Sequence, residues 1–252
     1  MCMLQTVRMD FTPALTHTKV RGIDVLSDDA AAELGVHVAF VGREGGASTG
    51  PYRSLNLALS GEDDPVKVTE NRSRVAAVLG FEPGSLVLAR QVHGVRVLEV
   101  PEGASGVIGE ADGLIARTPG VVLAVMTADC VPAVVAGSRG VALLHAGWRG
   151  VVGGVIERGL QTVGDAWAAW VGPSIHSCCY EVGPEVVAAW ANRDLPLPGD
   201  RCVDPAAAVA HILKGAGVPV AVAGVCTHHD PRYFSYRRDG VTGRQGAFAW
   251  LS

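Results

Sequence analysis

A cysteine and a histidine lie near predicted strand ends in one apolar stretch, residues 121–150, and their side chains could do chemistry together. Cys130 follows the apolar run VVLAVMT and the pair Ala128-Asp129, and His145 closes the run VALLH. A thiolate beside an imidazole is either a nucleophile–base pair or two ligands of a metal ion. A buried apolar cysteine and a structural histidine are the alternative, so spacing alone leaves the role of the pair open.

These two residues must be positioned by β-strands and a turn. The runs VVLAVMT, AVVAG and VALLH have the composition of buried strands, and Ser138-Arg139-Gly140 is typical of a turn. If Arg139 is the centre of that turn, Ala133 faces His145. Cys130 then lies at the same end of the hairpin, about 10 Å from His145 along straight strands. Pro132 can bend the chain and shorten that distance.

Two arginines have glycine-rich surroundings that could bind an anion. Arg43 follows the predicted strand 36–41 in the loop GREGG, and Arg149 lies at the start of a glycine-rich helix predicted over 147–164. Backbone N–H groups of such loops and helix starts attract phosphate or carboxylate. A surface turn and a solvated charge are the alternatives. Asn56, in the alternating segment SLNL, either contacts a ligand or caps a turn.

Other polar residues also lie at breaks between predicted elements. His93 separates predicted strands over 86–91 and 95–100, and Asp129 is either an orienter of a metal-binding histidine or an exposed turn carboxylate. The cluster Cys226-Thr227-His228-His229-Asp230 could hold a metal by itself, since the spacing of Cys226 and His228 places two ligands on one side of an extended chain. The adjacent Cys178 and Cys179 are expected to point to different sides, and therefore not to share one metal.

Composition narrows the class of protein. The 252 residues are 48% hydrophobic and 18% charged, enough for a large core, and the net charge of −4 argues against a nucleic-acid partner. The chain has no run of about 20 apolar residues, so no membrane span is expected. Residues 1–10 have no apolar signal core, and the six cysteines form no C-x-x-C pair. We therefore expect a soluble, cytoplasmic protein whose thiols are free or metal-bound.

The remaining elements alternate between helix and strand. Asp64 and Pro65 predict a helix start and Gly80 its end. A strand is predicted over 167–171, helices over 184–190 and from 204 to about 215, and strands over 218–225 and 248–251.

Several of these polar segments resemble, in order, the motifs of the polyphenol oxidase/laccase-domain family, also called the YfiH-like or DUF152 purine nucleoside phosphorylase family. They are SLNLALSGEDDP at 54–65 with Asn71-Arg72, QVHG at 91–94, ADG at 111–113, MTADCVP at 126–132, HAGWRG at 145–150, GPSI and YEVG within 172–183, and FSYRRDGVTGR at 234–244. Their number and order make the resemblance specific.

The resemblance implies a fold, a metal and an activity. The fold is a single α/β (α+β) domain over 1–252, a layered mixed β-sheet sandwich with flanking helices. The implied zinc ligands, also the catalytic residues, are His93, Cys130 and His145, a set that leaves a fourth position open. The implied reactions are phosphorolysis of purine nucleosides (adenosine, inosine, guanosine and 5′-methylthioadenosine) and deamination of adenosine. We assign Arg43, Asn56 and Arg149 to the nucleoside and phosphate.

Other functions remain open at this point. The laccase name implies copper-dependent oxidation of phenols, but multicopper oxidases use His-x-His pairs and this chain has none, so zinc is preferred over copper. A metal-free cysteine hydrolase would use Cys130 as nucleophile and His145 as base. A non-catalytic protein that binds a small ligand is a third possibility, and the oligomeric state is open.

Overall fold

The computed structural model describes residues 11–252, which form two β-sheets flanked by helices. The strands are β1 Thr16–Val20, β2 Ile23–Ser27, β3 Val36–Val41, β4 Leu86–Arg90, β5 Val97–Glu99, β6 Gly106–Glu110, β7 Gly113–Ala116, β8 Val122–Thr127, β9 Val131–Gly137, β10 Gly140–Ala146, β11 Ala166–Val171, β12 Val220–Val222 and β13 Gln245–Leu251. The helices are α1 Asp29–Glu33, α2 Pro65–Leu79, α3 Trp148–Gly153, α4 Val155–Val163, α5 Pro184–Ala191, α6 Pro205–Gly215 and α7 Tyr236–Asp239.

The strands divide into two mixed sheets. One has the order β1-β2-β3-β13-β8-β4-β6, and the other has the order β12-β11-β9-β10-β7-β5. Most neighbours are antiparallel, but β4 is parallel to β6 and β8, β5 to β7, and β11 to β12. The predicted layered α/β architecture is therefore confirmed. The chain passes from the first sheet to the second between β8 and β9, which is where Cys130 lies.

Apolar residues pack on both faces of the central strands. In β10, Val141 and Leu143 belong to the core between the sheets, whereas Leu144 packs under the helices on the other side. In β8, Leu123 faces the space between the sheets and Ala124 packs towards α2. Strands buried on both faces read as continuous apolar runs rather than as alternating ones. This explains why residues 121–150 are so hydrophobic.

Helix α2 begins and ends as the sequence predicts. The Asp64 side chain accepts a hydrogen bond from Val66 N, Pro65 is the first helical residue, and Gly80 ends the helix with a left-handed backbone at φ 79°. Asp64 and Gly80 pair with backbone groups at the two helix ends, and Pro65 has no N–H group that needs a partner.

The predicted register of the β9–β10 hairpin is wrong by one residue. The turn is centred between Ser138 and Arg139, so Ala133 faces Leu144 and Pro132 faces His145. Two-residue turns are the commonest hairpin connection because their twist matches that of the strands. The shift brings Cys130 one residue closer to His145 than the three-residue turn would.

The single helix predicted over 147–164 is two helices, α3 and α4. Gly154 separates them with φ 94°, a left-handed conformation that ends the first helix. Glycines on both sides of the contact let α4 approach the sheet closely. A Cβ atom at Gly159 would lie 2.4 Å from Leu144 Cδ1, and one at Gly137 would lie 2.5 Å from the carbonyl oxygen of Val163.

Two expectations from composition concern membranes and thiols. Over residues 11–252 no helix is long and apolar enough to cross a bilayer. Within the same range five cysteines form no disulfide, in agreement with thiols that are free or metal-bound: Cys130, Cys178, Cys179, Cys202 and Cys226. Cys2 and the rest of residues 1–10 lie outside the described residues.

Replacing Gly137 with alanine tests the contact between β9 and α4. The added methyl group meets the Val163 backbone, which cannot rotate away, so we expect Gly137→Ala to lower the free energy of unfolding by about 1–3 kcal/mol. Gly215→Ala is the control, because Gly215 lies at the end of α6 with no atom within 4 Å of the new methyl group. Urea denaturation measures both variants, and equal stabilities would contradict the close approach.

Candidate metal centre and adjoining cavity

Three side chains from distant parts of the sequence converge at the junction of the two sheets. His93 lies in the loop after β4, Cys130 in the turn between β8 and β9, and His145 near the end of β10. One nitrogen or sulfur atom of each lies within 4.8 Å of the others. His93 Nε2 is 3.9 Å from Cys130 Sγ, and the two imidazole rings are 5.0 Å apart in an edge-on arrangement.

The buried carboxylate of Asp112 orients both histidines. Asp112 Oδ1 lies 2.8 Å from His145 Nδ1 and accepts a hydrogen bond from the backbone N–H of His93 at 2.9 Å. Oδ2 accepts from the N–H groups of Val92 and Gly94, at 3.2 and 2.7 Å. This bonding directs Nε2 of His145 towards His93 and Cys130, and it holds His93 in a left-handed backbone, φ 58°. Sequence analysis assigned no role to Asp112.

Asp129 has a different role from either of those predicted. It is neither an exposed turn carboxylate nor an orienter of a histidine, because it is buried and bonds to another loop. Its Oδ1 accepts a hydrogen bond from Thr227 Oγ1 at 2.7 Å, and its Oδ2 accepts from Arg237 N at 2.7 Å. Asp129 thus joins the turn that carries Cys130 to the segments at 227 and 237.

The environment favours the ionised forms of Cys130 and His145. Burial lowers the pKa of His145, but its bonds to Asp112 and Cys130 outweigh that effect and raise the pKa to about 9. Burial raises the pKa of the Cys130 thiol, but hydrogen bonds and positive charge from His145 and His93 lower it to about 6. Without a metal, a thiolate beside an imidazolium is therefore the favoured pair at neutral pH. Thiolate is also the form that binds metals.

The donor set fits a metal such as zinc with an open coordination position. Imidazole and thiolate are both zinc ligands, and catalytic zinc sites have three protein ligands with water or substrate in the fourth position. The bond from His145 Nδ1 to a carboxylate leaves Nε2 as the ligand atom, which is the usual arrangement around metal-bound histidine. Gly147 leaves room for the cluster, because a Cβ atom there would lie 2.7 Å from His93 Cδ2 and 3.3 Å from Cys130 Sγ.

A cavity of about 760 Å³ opens beside the three residues, a size suited to a small organic ligand. His93, Cys130 and His145 line one part of it. Apolar side chains, among them Leu88, Val107 and Met126, form another part. Four arginines also contribute to the lining: Arg72, Arg90, Arg237 and Arg244. The cavity therefore combines metal-binding, apolar and cationic surfaces.

The two predicted anion-binding arginines do not line this cavity. Arg43 donates from Nε and a terminal nitrogen to the carbonyl of Arg53, at 2.9 and 2.7 Å, and its guanidinium packs over the ring of Phe234. Arg149 is exposed and stacks 4.4 Å over the ring of Trp148. It lines a shallower groove that shares Trp148, Tyr180 and Arg237 with the cavity.

The third predicted substrate residue, Asn56, is buried and positions other groups. Its amide nitrogen donates to Asp63 Oδ2 at 2.8 Å, and its Oδ1 accepts from Arg244 N at 2.9 Å. Asn56 does not line the cavity, but it fixes the backbone of Arg244, which does.

Arg72 is a cavity residue to which sequence analysis gave no role. Its Nε donates to the carbonyl of Leu57 at 2.8 Å, and burial lowers its pKa. In the part of the chain that the structure describes, neither terminal guanidinium nitrogen has a hydrogen-bond partner. The Asn71-Arg72 pair within the family motifs was the signal that could have identified it.

The predicted Cys226-x-His228 pair is also different in the structure. Residues 226–230 form a turn in which His229 N and Asp230 N donate to the carbonyl of Cys226. A turn brings the third residue along the chain, His229, beside Cys226, whereas an extended chain would bring the second. Cys226 and His229 group with Cys178 and Cys179, so the two adjacent cysteines do share one cluster, contrary to prediction.

Comparisons with known proteins extend over most of the chain. The model of the family described as multi-copper polyphenol oxidoreductase laccase matches residues 37–252. A purine nucleoside phosphorylase of Deinococcus radiodurans is 40% identical over 236 residues, which cover 88% of this chain and 91% of that protein. Another, from Xylella fastidiosa, is 39% identical over 252 residues, which cover 90% and 96%.

Solved structures share the fold. YlmD from Geobacillus stearothermophilus superposes with a TM-score of 0.84 at 32% identity, covering 95% of this chain and 99% of that one. The hypothetical protein YfiH of Bacillus licheniformis has a TM-score of 0.82 at 29% identity, covering 92% and 97%.

Replacing Gly147 with alanine tests whether His93, Cys130 and His145 bind a metal. The backbone of Gly147, φ −69° and ψ 165°, accepts alanine, so the methyl group displaces His93 and spares the fold. We expect zinc affinity, measured by titration of the metal-free protein, to fall about 10- to 100-fold. Gly183→Ala is the matched control, a helix-capping glycine with φ −73° and ψ 164° beside the mobile end of Glu185. Unchanged affinity in Gly147→Ala would rule out this centre.

Proposed function

Because the chain belongs to the family described as multi-copper polyphenol oxidoreductase laccase, and resembles proteins named purine nucleoside phosphorylase, we propose that it is a zinc-dependent purine nucleoside phosphorylase. The observation that carries this proposal is the cavity, where the ligand group of His93, Cys130 and His145 shares one space with arginine side chains. A nucleoside and a phosphate need an apolar surface for the base and positive charge for the anion.

The reaction breaks one bond and forms one. A phosphate oxygen bonds to C1′ of the ribose while the bond from C1′ to N9 of the purine breaks. The products are ribose 1-phosphate and the free purine, which takes up a proton. When bound by His93, Cys130 and His145, zinc supplies Lewis acidity towards the attacking oxygen.

The chain's own residues bind and orient the reactants. Asp112 keeps His145 fixed with Nε2 towards the cavity, so that the ligand group needs no rearrangement. Arg72 and Arg244 bind the phosphate, because both line the cavity and both guanidinium groups are held by backbone carbonyls, that of Arg72 by Leu57 and that of Arg244 by Thr242 and Gly243. The apolar side chains of Leu88 and Met126 contact the purine ring.

The same site suits hydrolytic deamination of adenosine. Water then replaces phosphate as the attacking group and adds to C6 of the adenine ring, and ammonia leaves to give inosine. The nucleoside must turn so that C6 rather than C1′ faces the ligand group. A cavity of about 760 Å³ leaves space for both orientations.

A second candidate function, a metal-free cysteine hydrolase, is favoured by one observation. Asp112, His145 and Cys130 form a carboxylate–imidazole–thiol series in which the thiol pKa is lowered to about 6. Such a series activates a nucleophilic thiolate. Chelation distinguishes the two functions, because it abolishes a zinc-dependent activity and spares a thiol-dependent one.

The activity test uses the zinc-loaded chain with adenosine, in the presence and absence of phosphate. We expect adenine and ribose 1-phosphate with phosphate, inosine without it, and loss of all three products in His93→Ala. Cys202→Ser is the control, since Cys202 is a free cysteine outside the cavity. Absence of adenine and inosine in both conditions would refute the nucleoside proposal. Turnover that survives chelation and is lost with iodoacetamide would establish the cysteine hydrolase.

The arginine assignments are tested by a pair of variants. We expect Arg72→Gln to raise the KM for phosphate about 10-fold or more, because it removes a charge-assisted contact of about 1.5–3 kcal/mol. Arg149→Gln should leave this KM within about twofold of the wild type, because Arg149 stacks on Trp148 outside the cavity. The reverse result would restore the assignment of phosphate to Arg149 made from the sequence.

A further inference from the structure

A second cluster of potential metal ligands lies in the loops that follow β11 and β12. These strands are parallel, so the chain leaves both at the same edge of the sheet. A bridge pairs Ser174 with Cys226, and Thr227 N donates to the carbonyl of Ser174 at 2.9 Å. The two loops therefore run side by side. Cys178 and Cys179 lie in the first loop, and Cys226 and His229 in the second.

Both loops turn in the same tight way. In the first, Cys179 N and Tyr180 N each donate to the carbonyl of His176 at 3.0 Å. In the second, His229 N and Asp230 N donate to the carbonyl of Cys226. Adjacent side chains point to opposite sides only in an extended chain. In these turns all four side chains reach a common space, with their ligand atoms within 4.8 Å of one another.

The separation of the Cys178 and Cys226 sulfurs matches that around one tetrahedral ion. Cys178 Sγ lies 3.7 Å from Cys226 Sγ and 3.8 Å from His229 Nδ1. Two sulfurs bound to the same zinc at about 2.3 Å each are separated by about 3.8 Å in a tetrahedral site. Cys179 Sγ lies 3.0 Å from His229 Nε2. A disulfide needs sulfurs about 2.05 Å apart, and no pair of the described cysteines is bonded.

We propose that Cys178, Cys179, Cys226 and His229 form a second metal site, a structural zinc site with three thiolate ligands and one imidazole. Three cysteines and one histidine are a common ligand set of structural zinc, and four protein ligands leave no position for substrate. The set shares no residue with His93, Cys130 and His145. Cys178 and His229 are exposed, so the ion can enter from solvent.

A zinc ion here clamps a loop that lines the cavity to a second loop that is bonded to Asp129. Tyr180, next to Cys179, lines the cavity, and the guanidinium of Arg237 lies 4.9 Å from its ring centre. Thr227, next to Cys226, donates a hydrogen bond to Asp129 beside Cys130. The second site thus acts on the shape of the first without touching it.

The test measures zinc per chain in the full-length protein after dialysis. We expect about two ions in the wild type and about one in Cys226→Ser and in His229→Ala. His228→Ala and Cys202→Ser are the matched controls and should keep both ions, because neither residue belongs to the group. His93→Ala should keep the second ion, which separates this proposal from the proposed function.

Cobalt substitution provides a readout that does not depend on variants folding. In the wild type, cobalt at this site should give an intense sulfur-to-metal charge-transfer band from three thiolates, whereas the His93 site contributes only one. Zinc should also protect Cys178, Cys179 and Cys226 from alkylation. Wild-type zinc content in both His229→Ala and Cys226→Ser, a one-thiolate spectrum, or a Cys178–Cys226 disulfide found by mass spectrometry would overturn the proposal.

Discussion

The bonds of Asp112 determine the geometry of the main site. Its carboxylate accepts hydrogen bonds from three successive N–H groups, those of Val92, His93 and Gly94, and lies 2.8 Å from His145 Nδ1. Its carbonyl also accepts from His145 N at 2.7 Å. A buried carboxylate without such partners would be costly. The same bonds that make the burial of Asp112 possible place two imidazoles around one point. Burial raises the pKa of Asp112, but its hydrogen bonds and the positive charge of His145 outweigh that effect and lower the pKa.

Local sequence patterns predicted strands and helices, whereas pairing between strands distant in the sequence determines which side chains meet at the site. The apolar runs predicted β8, β9 and β10, and the capping residues Asp64 and Gly80 predicted α2. Asp112 was given no role because its partner is 33 residues away. The β7–β10 pairing, which places Gly113 opposite Leu144, brings residue 112 beside residue 145. A role near the site was predicted for Asp129 instead, because it adjoins Cys130 in the chain.

Local sequence patterns also failed to predict the contacts of the arginines and of the cluster that contains Cys178 and Cys179. Arg43 and Arg149 were predicted to bind an anion because of their glycine-rich neighbours, which is a local property. In the structure the guanidinium of Arg43 donates to the carbonyl of Arg53, and that of Arg149 stacks on the ring of Trp148. Arg72 reaches the cavity only because α2 packs over the first sheet. Cys178 and Cys179 were judged as parts of an extended chain, whereas hydrogen bonds to His176 place them in a turn. His93, Cys130 and His145 were predicted as metal ligands from the family resemblance, and the structure brings the three side chains together.

Burial of the central strands on both faces has a consequence for the newly made chain. Between residues 121 and 146 the only Asp, Glu, Lys or Arg side chains are those of Asp129 and Arg139. Before the sheets close, this stretch is a long apolar segment of high β-propensity, the kind that associates with other chains. The two charges interrupt it at the points where the chain turns, which are positions where charged residues generally limit aggregation. Asp129 therefore interrupts this apolar segment in the unfolded chain, and in the folded chain it bonds to Thr227 and Arg237 beside the cavity.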